Sequence, residues 1–102
     1  MPLKLFTASP RNTGKTDVAL ALAEKLNAFY IPWKLSSMSP PRGLHGPFVI
    51  DELSNQSVDL QQWVLHSLLN YDFYLFCNSA EVKFIYPPLQ RFLANHYPEA
   101  FL

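Results

Sequence analysis

Leu3-Lys4-Leu5-Phe6-Thr7-Ala8, followed by Ser9-Pro10-Arg11-Asn12-Thr13-Gly14-Lys15-Thr16, is the stretch that decides the fold of this chain. The first six residues are a short, mostly apolar run suited to a buried strand. Ser9 to Thr13 contains Pro10 and Asn12 and breaks that run. From Gly14 to Asn27 the pattern becomes helical. Val18, Ala21, Leu22 and Leu26 form an expected apolar stripe, with Asp17, Glu24 and Lys25 toward other faces. Asn27 is the expected helix end.

A strand, a breaker and a helix with Gly-Lys-Thr at the junction is an arrangement that cradles phosphate. The pattern is G-x-x-x-x-G-K-[ST]. Gly14, Lys15 and Thr16 match it, and Ser9 stands where the first glycine is expected. Such a loop wraps a phosphate with its own backbone N–H groups. The helix that follows aims its positive end at the same anion. Ser9, Arg11, Asn12, Thr13, Gly14, Lys15 and Thr16 are therefore the candidate nucleotide-binding positions. Lys15 is expected on the β- and γ-phosphates and Thr16 on Mg²⁺. Pro10 lacks an N–H and contributes no donor.

A magnesium-dependent phosphate site needs a second acidic anchor at the end of a neighbouring strand. Pro47-Phe48-Val49-Ile50-Asp51-Glu52 supplies one. Asp51 is expected in the Mg²⁺ shell, through water. Glu52, one step on, is placed to orient or deprotonate an attacking water.

Around these motifs the chain alternates. Ala28 to Leu35 is aromatic-rich and reads as a second strand, which Pro32 demotes to an edge or splits. Ser36 to Gly46 is a loop. Phe48 to Ile50 is a third strand. Asp59 to Asn70 is helical, with Leu60, Trp63, Val64 and Leu68 on one side and Ser57 or Asp59 as its cap. Asp72 to Cys77 is a fourth strand. Pro87 and Pro88 interrupt the remainder, and Leu89 to His96 reads as a last helix. Strand–helix alternation implies parallel pairing. Buried parallel strands read as continuous apolar runs, as these do. The expected fold is α/β: one minimal nucleotide-binding domain over residues 1–102, with a mainly parallel sheet of about four strands.

With these motifs the chain resembles the P-loop NTPases that carry Walker A and Walker B segments. The likeness is to the division with an additional strand, which includes the AAA+ and RecA-like ATPases. It covers roughly residues 3 to 80 and implies a small three-layer sandwich. It also implies ATP and Mg²⁺ as cofactors, with Glu52, Lys15 and Asn78 catalytic and Thr16 and Asp51 at the metal. In that division the strand after the acidic pair often ends in a polar residue that senses the γ-phosphate. Asn78, closing Phe73-Tyr74-Leu75-Phe76-Cys77-Asn78, matches. A turn residue is its ordinary alternative role. Arg91 and Arg42 are the candidates for a finger arginine. The stretch from Pro10 to Asn27 also looks like the opening of tRNA prenyltransferases, but Asp51-Glu52 is not part of that likeness.

Composition narrows the function classes. The 8 basic and 8 acidic residues cancel, so no basic excess points to nucleic acid. The single cysteine, Cys77, excludes an internal disulfide and reads as a small core residue, fitting a reducing, cytoplasmic setting. No run approaches the roughly 20 apolar residues of a membrane span. Trp33, Trp63, Phe29, Tyr30, Phe73 and Tyr74 are expected to pack in the core. His96 reads as a helix-end residue, and the tail from Tyr97 to Leu102 as an apolar segment that docks on the domain or on a neighbour.

Two functions follow as expectations. The first is a small ATPase working as a homo-oligomer or with a partner protein, since a neighbour supplies buried surface and an arginine in trans. It would drive assembly or remodel protein or nucleic acid. The second is a non-catalytic protein that keeps the fold for binding. The lack of an Asn-Lys-x-Asp guanine-reading segment favours ATP over GTP.

Overall fold

A computed structural model describes residues 3–10, 13–32 and 43–102. The expected positions Arg11, Asn12, Trp33 and Arg42 lie outside them, as do the end of the second strand and most of the Ser36 to Gly46 loop.

Among the described residues, four strands form one sheet: β1 (Leu3–Ser9), β2 (Phe29–Ile31), β3 (Phe48–Ile50) and β4 (Phe73–Asn78). Their spatial order is β1-β4-β3-β2, and every neighbouring pair is parallel. The expected four-stranded parallel sheet is therefore present. Helix α1 (Lys15–Leu26) lies between β1 and β2, α2 (Val58–Ser67) between β3 and β4, and α3 (Pro87–His96) follows β4. The order inserts β4 between β1 and β3, so the strand before Gly14 never touches the strand before Asp51. Pro32 follows β2, which is an edge strand, where a missing N–H leaves no ladder bond unmade.

Register explains the two-sided burial. Phe6 lies beside Leu75, Leu75 beside Ile50, and Ile50 beside Ile31. This row belongs to a core that also takes Leu60 and Val64 of α2 and Leu89 and Leu93 of α3. The next row, Leu5-Tyr74-Val49-Tyr30, faces the other way and packs with Ala19 and Ala23 of α1. Alternation along each strand thus gives α1 one face and α2 with α3 the other. Phe48 is fully buried, with Trp63 edge-on at 5.0 Å and Phe73 stacked at 5.4 Å. Burying a side chain of that size stabilises by about 1.5–3 kcal/mol.

Four expectations change. The buried face of α1 is Ala19 and Ala23, while Val18 is 56% exposed. Small residues let the helix approach the sheet over Val49 and Phe76, which larger side chains would hold off. Pro87 and Pro88 do not interrupt α3: they open it at its first two positions, where a missing N–H is harmless. Phe29, expected to pack in the core, is 42% exposed on the edge strand β2, and the 3-10 turns at Leu53–Asn55, Ser79–Phe84 and Pro98–Phe101 had no signal in the apolar pattern. Other expectations hold. Ser57 caps α2, its hydroxyl accepting from Leu60 N–H at 3.1 Å. Asn27, at φ 54°, closes α1 with its N–H on the carbonyls of Ala23 and Glu24. The tail docks on its own domain, with Phe101 stacked on Phe6 and Tyr97 edge-on to it.

Two buried glutamines tie the layers together. Gln61, 2% exposed, donates from Nε2 to the Gln56 carbonyl at 3.0 Å. Its Oε1 accepts from Tyr86 N–H, at the start of α3, at 2.7 Å. Gln61→Leu keeps the volume but leaves both backbone groups unpaired. It is expected to cost about 3 kcal/mol and to lower Tm by roughly 10 °C or more, read by thermal unfolding.

Candidate functional site

In a parallel sheet all strands end on the same side, so Ser9, Asp51 and Asn78 come to one rim. At that rim β1 leaves through Ser9 and Pro10. The Thr13 hydroxyl donates to the Pro10 carbonyl at 2.7 Å and bridges to Ser9 Oγ at 3.2 Å. The serine that replaces the first glycine therefore helps close the loop. Gly14 has φ 79° and ψ 21°, a left-handed conformation that costs an L-residue roughly 1–2 kcal/mol. A Cβ there would meet nothing within 4 Å, so conformation alone calls for glycine.

Helix α1 starts at Lys15 with no side-chain cap. Among the described residues no side chain accepts from its first N–H groups, which is the condition for binding an anion at a helix start. Lys15 is half-buried and Thr16 exposed. No hydrogen bond or ion pair engages the Lys15 ammonium among the described residues.

Asp51 follows β3 and is 1% exposed. Alternation turns its side chain to the face of Val49, the face that α1 covers. There its Oδ2 accepts from the Tyr30 hydroxyl at 2.9 Å. Oδ1 accepts from Glu52 N–H at 2.9 Å. Glu52 sits at φ 49°, ψ 54°, left-handed without being glycine. Its Oε2 accepts from Asn55 Nδ2 at 3.0 Å. Gln56 donates from Nε2 to the Asp51 carbonyl at 2.8 Å, and its Oε1 is buried with no partner among the described residues. Two local costs therefore fall on one turn: a strained backbone, on the order of 1–3 kcal/mol, and an unpaired acceptor, about 1–3 kcal/mol.

Asn78 lies beside Ser9 in the β1–β4 register. Its Oδ1 accepts from Ala80 N–H at 2.9 Å and caps the following turn. The ordinary turn role is thus filled by the oxygen, leaving Nδ2 as the donor a sensing role would use. Arg91 is exposed on α3, across the sheet from α1. Cys77 is buried, and burial pushes its thiol above the usual range. His96 ends α3, stacked on Phe92. A cleft of about 330 Å³ between β1 and the tail, lined in part by Phe6, Thr7 and His96, includes none of Gly14, Lys15, Thr16 or Asp51.

Among the described residues no group of three or more His, Cys, Asp or Glu is placed to hold a metal ion; what a magnesium–phosphate group would use is a helix start without a described side-chain cap, an ammonium that no described residue engages, and a buried carboxylate on the α1 face. Each Asp51 oxygen keeps further lone-pair capacity beyond its one hydrogen bond.

Tyr30 is the site residue that pattern reading assigned to the core. Burial first, then the hydrogen bond to Asp51, then the charges of Asp51 and Glu52 push its hydroxyl well above the ordinary tyrosine value. Above pH ~10 an unfolded tyrosine loses its proton while folded Tyr30 keeps it. The folded state then holds more protons, so stability falls as pH rises. The urea midpoint is expected to decline above pH ~10, and Tyr30→Phe to lessen that decline.

Among the described residues, no helix is long and apolar enough to cross a membrane. No protein-family model matches the chain, and a search of curated proteins finds no significant match.

Proposed function

We propose that this chain is a minimal P-loop nucleotide-binding domain, a small three-layer sandwich of the additional-strand kind, that hydrolyses ATP with Mg²⁺. The observation that carries this reading is the strand order β1-β4-β3-β2. It brings the Gly14-Lys15-Thr16 junction and the Asp51-Glu52 pair to one rim of a parallel sheet, with α1 and the Asp51 side chain on the same face. Ligands of open α/β sheets bind at this rim, beyond the carboxyl ends of the strands. The strain gathered at Glu52 supports the same reading, since local rules are broken where function needs them broken.

The roles follow from chemistry. The loop N–H groups and Lys15 hold the β- and γ-phosphates. The Thr16 hydroxyl and Asp51 would hold Mg²⁺, which supplies charge neutralisation when bound. Glu52 orients or deprotonates the attacking water. Asn78 Nδ2 senses the γ-phosphate. Arg91 sits across the sheet from α1 and does not serve as the finger arginine, and a second copy or a partner protein is the source that fits so small a domain.

That position of Arg91 also favours a second reading, a protein that binds nucleotide without turning it over. One experiment separates them: Mg²⁺-dependent binding of labelled ATP, with phosphate release followed in the same sample. Binding with release supports the ATPase. Binding without release supports the binder, or an enzyme waiting for a neighbour's arginine. No binding overturns the site.

A further inference from the structure

We infer that Tyr30 is a positioning residue for the metal side of this site. Its hydroxyl fixes the Asp51 carboxylate, and so sets how strongly Mg²⁺ couples to nucleotide binding. The inference rests on the reading of Asp51 as a metal-shell carboxylate.

Three observations carry it. The carboxylate is held at two points, Oδ2 by Tyr30 and Oδ1 by Glu52 N–H, each at 2.9 Å. The torsion that rotates a carboxylate is broad and soft, so one point alone leaves its plane free to turn. Second, the two residues meet across β2 and β3: Tyr30 lies beside Val49, and Asp51, two positions on, faces the same way. The Asp51 N–H also donates to the Ile31 carbonyl at 3.0 Å, fixing its backbone to β2. Third, the Tyr30 ring packs with Ala19, Ala23, Val49 and Phe76, which keeps the hydroxyl in place. Phenylalanine would fill that packing equally well. The hydroxyl itself is spent on Asp51. Groups that orient a metal ligand in this way set metal affinity without touching the metal.

The test is a titration of labelled ATP binding against Mg²⁺, with a parallel series in EDTA. It uses wild type, Tyr30→Phe, Asp51→Asn and the double variant. Tyr30→Phe is expected to need roughly 10-fold more Mg²⁺ for the half-maximal gain in ATP affinity, with its affinity in EDTA unchanged. Added to Asp51→Asn, it should change the Mg²⁺ requirement no further, because both act through one carboxylate. A wild-type Mg²⁺ requirement in Tyr30→Phe overturns the inference alone. So does an equal loss in EDTA, which would make Tyr30 a packing residue. A wild-type protein that binds no labelled ATP overturns the site reading, and this inference with it.

Discussion

Glu52→Gln is expected to bind labelled ATP as the wild type does and to release phosphate about 100-fold more slowly, or slower still. The reasoning is geometric and electrostatic. Glu52 carries its charge at the strand-end rim, one residue beyond Asp51, and its Oε2 is held by Asn55 Nδ2 at 3.0 Å. Glutamine keeps the length and the oxygen that accepts this bond, and loses only the basicity. Binding draws on Lys15, Thr16 and the loop N–H groups, so affinity should stay. Glu52→Gly tests the same position in another way. It relieves a left-handed glutamate at φ 49°, a gain of roughly 1–2 kcal/mol. Greater freedom of the unfolded chain offsets about 0.5–1 kcal/mol of it. A variant at least as stable as wild type but without turnover would show the strain to be kept for chemistry. Single-turnover phosphate release and a thermal melt read the two effects. A Glu52→Gln protein with wild-type release would remove Glu52 from the mechanism.

The fold was legible in the sequence wherever one residue class served both burial and local pattern. Phe48, Val49 and Ile50 are all fully buried, as a strand with helices on both faces requires, and the uninterrupted apolar run announces this. The α1 face departs from the expected stripe of Val18, Ala21, Leu22 and Leu26 because apolar count and contact distance pull apart. Val18 is more hydrophobic than Ala19 and Ala23, yet it is 56% exposed and the alanines are the ones that fit against the sheet. Pro87 and Pro88 carry opposite meanings inside a helix and at its first turn. Only the position of the preceding turn, itself a 3-10 segment without a strong pattern, decides between them.

The candidate site divides along the same line. Lys15-Thr16 and Asp51-Glu52 are legible because the chemistry sits on neighbouring residues at an element boundary. Tyr30, Gln56 and Gln61 are not. Tyr30 acts on a residue 21 positions away and Gln61 on one 25 positions away. Neither separation means anything until the strand order is known. The one signal available was polarity in an apolar setting: a glutamine between Leu60 and Val64, and a hydroxyl on a ring otherwise suited to the core.

Lys15→Ala is expected to weaken ATP binding roughly 100-fold, about 2.7 kcal/mol. In the proposed site the ammonium serves phosphate as a point charge rather than acting as a structural partner. No hydrogen bond or ion pair engages it among the described residues, so its removal leaves no buried group unpaired. Stability should therefore move by no more than about 0.5 kcal/mol, as at an ordinary surface position. This contrast separates the site reading from a structural role. A lysine kept for folding would lower Tm and leave any binding to follow it down. A lysine kept for phosphate leaves the melt unchanged and empties the binding curve. Lys15→Arg sharpens the test. It keeps the charge but replaces a compact ammonium with a planar fork of different donor geometry, so it should rescue little of the affinity. Equal nucleotide affinity in wild type and Lys15→Ala would mean that the strand, loop and helix are a turn like any other, and that Asp51 and Glu52 close a strand without serving a phosphate.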